Sequence, residues 1–152
     1  MALKSITGAV TYRDKKGTPE WYIIKSRANN QWELPKSDVR GGESSVSAIL
    51  LYMKETLGIK ASVLEEAARA KLTVTQNGAS AEQNLYFYIM KQGKSAPDEL
   101  PIKLAIEIEG EWVNYSTAKR KLSLVREQKA LTQANDYLKQ WQKAKNKKQR
   151  KS

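Results

Sequence analysis

Two periodicities share this chain: short runs rich in β-branched and aromatic residues bounded by turn formers, and two stretches in which apolar side chains recur at helical spacing. Residues 5–13 and 20–27, the second carrying Trp21-Tyr22-Ile23-Ile24, read as paired strands joined by a turn over residues 14–19. Residues 71–76 and 83–91 predict a second pair around Asn77-Gly78, with an intervening loop of several residues rather than a tight two-residue turn. Between the pairs, Val46, Ile49, Leu50, Met53 and Leu57 follow the i, i+3, i+4, i+7 rule and predict a helix over residues 45–57 with one buried stripe. Glu55 points away from that stripe. Gly41-Gly42 before the helix and Gly58 after it suit a turn and a C-terminal cap. Residues 93–101 are a polar loop with two prolines, and residues 104–109 alternate like a half-exposed strand. Near the end, Ala130, Leu131, Ala134, Tyr137, Leu138 and Trp141 form an apolar helical face suited to packing on a sheet.

Composition narrows the chemistry. At 152 residues the chain reads as one domain, long enough to bury a core without cross-links. It has no Cys and no His, which removes disulfides, thiolate zinc sites, imidazole bases and every Ser-His or Cys-His nucleophile. No apolar run reaches the length of a membrane span. The residues Met1-Ala2-Leu3-Lys4 lack a signal-peptide apolar region, so a cytoplasmic location is expected.

Charge is uneven. Of the net +11, residues 1–110 hold 15 basic against 13 acidic side chains, and residues 111–152 hold 12 against 3. Lys143, Lys145, Lys147, Lys148, Arg150 and Lys151 form a basic tail with no apolar stripe, expected to be flexible or a frayed helix when free. Such a tail either contacts a polyanion, RNA foremost, or simply keeps the chain soluble; Lys119, Arg120, Lys121 and Arg126 extend the same surface. An anionic membrane fits less well, because no aromatic or Leu face accompanies the charges.

The most specific signal spans residues 32–59, WELPKSDVRGGESSVSAILLYMKETLGI. It resembles the Nudix box, G-x5-E-x7-R-E-U-x-E-E-x-G-U with U a bulky aliphatic, without a gap. Glu43, Met53, Glu55 and Gly58-Ile59 match. Ser37 stands for the first Gly, Leu51 for the Arg, Tyr52 for the adjacent Glu and Thr56 for the last Glu. Trp32-Glu33-Leu34-Pro35-Lys36 is similar to the W-x-x-P-K lead-in of the diadenosine-tetraphosphate hydrolase branch, with Ser37-Asp38 in place of its Gly-His. In outline the resemblance covers residues 6–141, including an opening hairpin and a late strand over residues 111–115 that leads into a helix.

What the resemblance implies is an α/β Nudix fold, a mixed central sheet sandwiched between helices, over residues 1–142, with residues 143–152 as the basic extension. It also implies a divalent-metal site built by Glu side chains at i, i+3 and i+4 of one helix. Here those positions are Tyr52, Glu55 and Thr56, so one carboxylate of three survives. Mg²⁺ needs oxygen ligands in near-octahedral array to activate water. Hence the expected function is binding of a nucleotide, dinucleotide or RNA phosphate without efficient hydrolysis, with no cofactor required.

Two alternatives stand beside it. One is a Mg²⁺-dependent nucleoside-polyphosphate pyrophosphohydrolase using Glu55, the one weak metal ligand, with Glu43. The other is a ribosome- or RNA-associated scaffold acting through the tail. By the same resemblance Lys36 touches substrate phosphate, and Arg27 either shares that role or is a solvated strand end. Tyr86 or Tyr88 stacks a base while Phe87 enters the core. Tyr52 either stacks a ligand or plugs the pocket. Glu65-Glu66 read first as a solvated pair, and Glu107 and Glu109 are given no catalytic role.

Overall fold

The computed structural model of the protein describes residues 5–26, 30–93 and 108–150, with side chains left undescribed at 26, 74, 76 and 145–150. Among the described residues seven strands form one mixed sheet. Strand β1 (Ser5–Lys15) turns into β2 (Thr18–Ser26), and the short strands β3 (Trp32–Glu33) and β4 (Lys36–Val39) follow. Helix α1 (Ser45–Glu55) leads to a long hairpin of β5 (Ala61–Gln76) and β6 (Ala79–Gln92). Beyond it lie β7 (Ile108–Val113), helix α2 (Tyr115–Lys121) and helix α3 (Val125–Arg150).

The centre of the sheet is β1, parallel to β6 along one edge. Its other edge is shared: Tyr12 to Lys15 pair with β2, while Ser5 to Gly8 pair with β4. Strand β2 likewise gives part of its β1-side edge to β3 and its far edge to β7. Thus β1 and β2 splay apart, and residues 32–39 wedge into the gap.

Side-chain alternation then builds two cores. Val10, Tyr12, Trp21, Ile23, Leu85, Phe87 and Ile89 face α2 and α3, meeting Ala118, Leu122, Ala130, Leu131, Ala134 and Leu138. Ala9, Tyr22 and Met90 face the opposite way, against Ile49, Met53, Leu57 and Ile59 at α1. Helices therefore cover both faces of a mixed sheet, as the sequence implies. Phe87 enters the α3-side core while Tyr88 packs on the α1 side.

The structure corrects the second hairpin. Gln76 pairs directly with Ala79, so Asn77 and Gly78 form a two-residue turn, both with positive φ (52° and 79°). That conformation is the one Asn-Gly favours, because its twist matches the strands. Strand β5 also starts ten residues earlier than residue 71, with bulges between Val63 and Glu65 and between Glu66 and Ala68. Each bulge shifts the side-chain alternation and hides the strand from a period-two reading. Helix α3 runs on through residues 142 and 143 to Arg150. Of the expected strand over residues 104–109, only 108 and 109 are described, and they belong to β7.

Packing demands glycine at position 8, as it does at Gly110 against the Tyr22 ring. A Cβ at Gly8 would stand 2.5 Å from two ring carbons of Phe87 and 3.3 Å from Cγ of Lys36. Both neighbours are fixed on paired strands, so neither yields easily. Gly8→Ala is expected to cost about 1–3 kcal/mol through overpacking, read from urea unfolding. Adding Phe87→Leu should recover part of the loss; a wild-type midpoint for Gly8→Ala alone would contradict this packing.

Candidate functional site

The Nudix-box segment folds as a loop, a helix and a loop for local reasons. Ser44 caps α1, its hydroxyl accepting the Ser47 amide at 3.0 Å. At the far end Gly58 takes φ 71°, and the Ile59 amide returns to the Met53 carbonyl at 2.8 Å. Ile49, Met53 and Leu57 are buried, as their stripe predicts, and Ala48 joins them. The Thr7 hydroxyl donates to the Ser45 carbonyl at 2.9 Å and ties the helix start to β1.

Beside the helix lies a cavity of about 210 Å³. Ser37, Asp38, Arg40 and Glu43 line it from β4 and the following loop; Ala48, Leu51, Tyr52, Glu55 and Thr56 line it from α1. The candidates Glu43, Tyr52 and Glu55 therefore meet in one pocket. Arg40, which sequence reasoning passed over, joins them. Its signal was its place in the box loop, three residues before Glu43. The Glu43 carboxylate accepts the Arg40 amide at 3.1 Å and closes that turn. With Asp38, Glu43 and Glu55 against Arg40, the lining carries an acidic excess.

A Mg²⁺ ion of the kind the resemblance implies does not fit these residues. Tyr52 is half-buried and packs with the α1-side core, and burial raises its phenol pKa, so the hydroxyl stays protonated. Thr56 offers only a neutral hydroxyl, which leaves Glu55 as the one carboxylate of the three helix positions. Among the described residues no three of His, Cys, Asp and Glu gather closely enough to hold a metal.

The other candidates are placed elsewhere. Lys36 lies on the opposite side of β4 from Ser37, and its ammonium pairs with the Glu127 carboxylate of α3, with Glu33 at 3.6 Å. Glu127 is fully buried and also accepts the Leu34 amide at 2.7 Å. Sequence reasoning missed Glu127, although it sits three, four and seven residues before Ala130, Leu131 and Ala134 on their buried stripe. An acid at such a position needs a partner. Tyr88 shares a hydrogen bond with the Ser45 hydroxyl. Tyr86 carries the Arg69 guanidinium 5.4 Å from its ring centre, and Glu66 holds Arg69 in turn, raising its pKa by that hydrogen bond and charge. Arg27 lies outside the described residues.

Of the basic candidates, Lys119 and Arg120 are exposed on α2, and Lys143 is exposed on α3. Lys121 is tied to Glu111 at 3.1 Å and lies over the Trp32 ring at 4.9 Å. The side chains of Lys145, Lys147, Lys148 and Arg150, and all of Lys151, fall outside the described residues, as does Glu107. Glu109 pairs with Lys25 at 3.6 Å. No described helix is long and apolar enough to cross a membrane.

No protein-family model matches the chain, and no curated protein matches it in sequence. Solved structures do. A Caenorhabditis elegans Ap4A hydrolase in a binary complex aligns over 90% of this chain and 98% of its own, with TM-score 0.71 and 18% identity. A Nudix hydrolase of Listeria monocytogenes covers 92% and 96%, with TM-score 0.67 and 13% identity. The Nudix domain of Shewanella oneidensis NrtR, crystallised with ADP ribose, covers 91% and 90%, with TM-score 0.64 and 12% identity. The chain has the Nudix fold.

Two stability tests follow. Burial is the leading influence on Glu127 and raises its pKa, with Lys36 and the Leu34 amide opposing. A carboxyl whose folded pKa is raised favours the fold most below its unfolded pKa, and that contribution is lost as pH climbs through the folded value. The stability of wild type relative to Glu127→Gln should therefore decline as pH rises from the acid range, measured by urea unfolding across pH. Lys36→Met should cost about 3 kcal/mol at neutral pH by stranding a buried carboxylate, and Glu127→Gln in the same chain should restore much of it. Separately, Tyr52→Glu with Thr56→Glu, which puts carboxylates at the two positions where the resemblance expects them, forces charge against the α1-side core. A loss of about 1–3 kcal/mol is expected in thermal unfolding; an unchanged midpoint would show the position to be open to water.

Proposed function

We propose that this protein binds a nucleotide phosphate in the α1 pocket without efficient hydrolysis. The observation that carries this reading is that Tyr52 and Thr56 occupy two of the three helix positions where the resemblance expects carboxylates, and both line the pocket beside α1. With Glu55 the one carboxylate left of the three helix positions, the cluster that would bind metal and activate water on α1 is depleted. The fold still supplies a cleft of the right kind, and Nudix domains of related shape include one crystallised with ADP ribose.

Arg40 is the cation of the pocket and the residue proposed to meet phosphate, with the protonated Tyr52 hydroxyl as a neutral donor beside it. Lys36 is left out of this role because Glu127 and Glu33 hold it. The acidic excess from Asp38, Glu43 and Glu55 weakens binding of a bare polyphosphate and favours ligands with fewer charges. The pyrophosphohydrolase alternative keeps one argument: Glu43 and Glu55 line the same cavity.

The deciding experiment incubates wild type and Glu55→Gln with diadenosine tetraphosphate, ADP ribose and nucleoside triphosphates, with Mg²⁺ or Mn²⁺, and measures cleavage and calorimetric binding together. Expected are binding without turnover above the control, and an affinity about tenfold lower in Arg40→Ala, in line with losing one charged hydrogen bond. Metal-dependent cleavage abolished in Glu55→Gln would establish an enzyme with a rebuilt site instead.

A further inference from the structure

The anion-attracting surface of this molecule lies away from the box. Between α2 and α3 runs a furrow enclosing about 410 Å³, lined by Lys119, Val125, Gln128, Lys129, Thr132 and Gln133. Among the described residues no acid lines it, in contrast to the α1 pocket. Neither Lys119 nor Lys129 pairs with an acid among the described residues, whereas Lys121 next door is bound to Glu111.

The floor of the furrow is fixed before any ligand arrives. The Gln128 amide donates to the Leu122 carbonyl at 2.9 Å, joining the two helices. The Tyr115 and Thr132 hydroxyls meet at 2.9 Å, and Thr132 also donates to the Gln128 carbonyl.

The furrow opens onto a longer track. Val125, Lys129, Thr132, Asp136, Lys139 and Lys143 recur every three or four residues and so share one face of α3, opposite Glu127, Ala130, Leu131, Ala134 and Leu138. Asp136 is the one acid on that face. Positions 147 and 150 continue the register in the helical backbone. Over 26 residues the helix extends about 39 Å.

We propose that the furrow between α2 and α3, together with the Lys129–Lys139–Lys143 face, binds the phosphodiester backbone of single-stranded RNA. Cations spaced along a line match a repeating phosphate charge, and each contact releases condensed counterion. Two further features suit RNA: the exposed Gln133 amide can pair with a 2′-hydroxyl, which both donates and accepts, and the exposed Val125 offers an apolar contact beside it. This surface is separate from the α1 pocket, so either proposal can fail alone.

The test uses fluorescence anisotropy of the full chain with a labelled single-stranded RNA over a range of salt. Lys119→Gln with Lys129→Gln should weaken binding and flatten the slope of log Kd against log salt by about 1.4, two contacts at about 0.7 each. Lys60→Gln with Lys71→Gln removes the same charge from exposed positions elsewhere and should leave affinity within about twofold. Thermal unfolding checks that both pairs fold. The proposal is overturned if the furrow pair behaves like the remote pair, if affinity is independent of salt, or if removing residues 145–152 alone abolishes binding. Equal affinity for DNA of the same sequence, or for polyglutamate, overturns the assignment to RNA.

Discussion

Everything around the candidate site depends on one buried ion pair, that of Lys36 with Glu127. It joins the wedge that splits β1 from β2 to the helix that covers the opposite face of the sheet. Glu127 has no exposed surface, and besides Lys36 it holds the amide of Leu34 in the same wedge. Taking a carboxylate out of water costs several kcal/mol unless such partners meet it, and both partners come from one short segment. The helix therefore cannot shift along the sheet without leaving a charge or an amide unsatisfied, and the wedge cannot swing out. Gly8 is part of the same arrangement. Its missing Cβ leaves room for the Phe87 ring and the Lys36 stem, which lets the ammonium pass toward α3.

That arrangement has a consequence for chemistry. Alternation along β4 sends Lys36 to one side and Ser37 to the other, so a lysine serving the buried carboxylate is withdrawn from the pocket beside α1. Arg40, beyond the strand end, becomes the cation there. On α1, Tyr52 is a packing position, since its ring lies with Tyr22 and Tyr88 in the α1-side core. Burial raises the Tyr22 phenol above its ordinary range, with the neighbouring Tyr52 adding to the effect. Tyr52 is thus tied to the core, and a carboxylate placed there works against its packing.

The parts of the fold legible in sequence were those with clean periodicity. The α1 stripe, the first hairpin and the α3 face each repeat without interruption, and the gap-free register of the box fixed where α1 lies. Strand β5 escaped because two bulges and a run of Glu and Ala break its alternation. The Asn77-Gly78 turn was read as a longer loop for a related reason: the polar tip of the hairpin, from Thr73 to Glu82, shows no alternation to count. Within the site, Glu43, Tyr52 and Glu55 could be brought together on paper because they share one loop and one helix. Lys36 could not be placed, since its direction depends on a partner 91 residues away. The signal for that partner was present all the same, in an acid standing on an apolar stripe.

The two candidate binding surfaces carry opposite charge, and this bears on how the molecule meets a polyanion. Asp38, Glu43 and Glu55 give the α1 pocket a field that repels phosphate except where Arg40 reaches it. Lys119, Lys129, Lys139 and Lys143 give the furrow and the outer face of α3 a field that attracts it. At physiological salt such fields reach about 8 Å, so each surface acts locally. A long polyanion gains by lying along α3, where successive cations each displace counterions, and gains little from the single arginine of the pocket. A small ligand with one or two phosphates is proposed to have the opposite preference, because a concave pocket with a donor hydroxyl holds it better than an open row of lysines. On the two proposals above, the positions of the charges sort ligands by length.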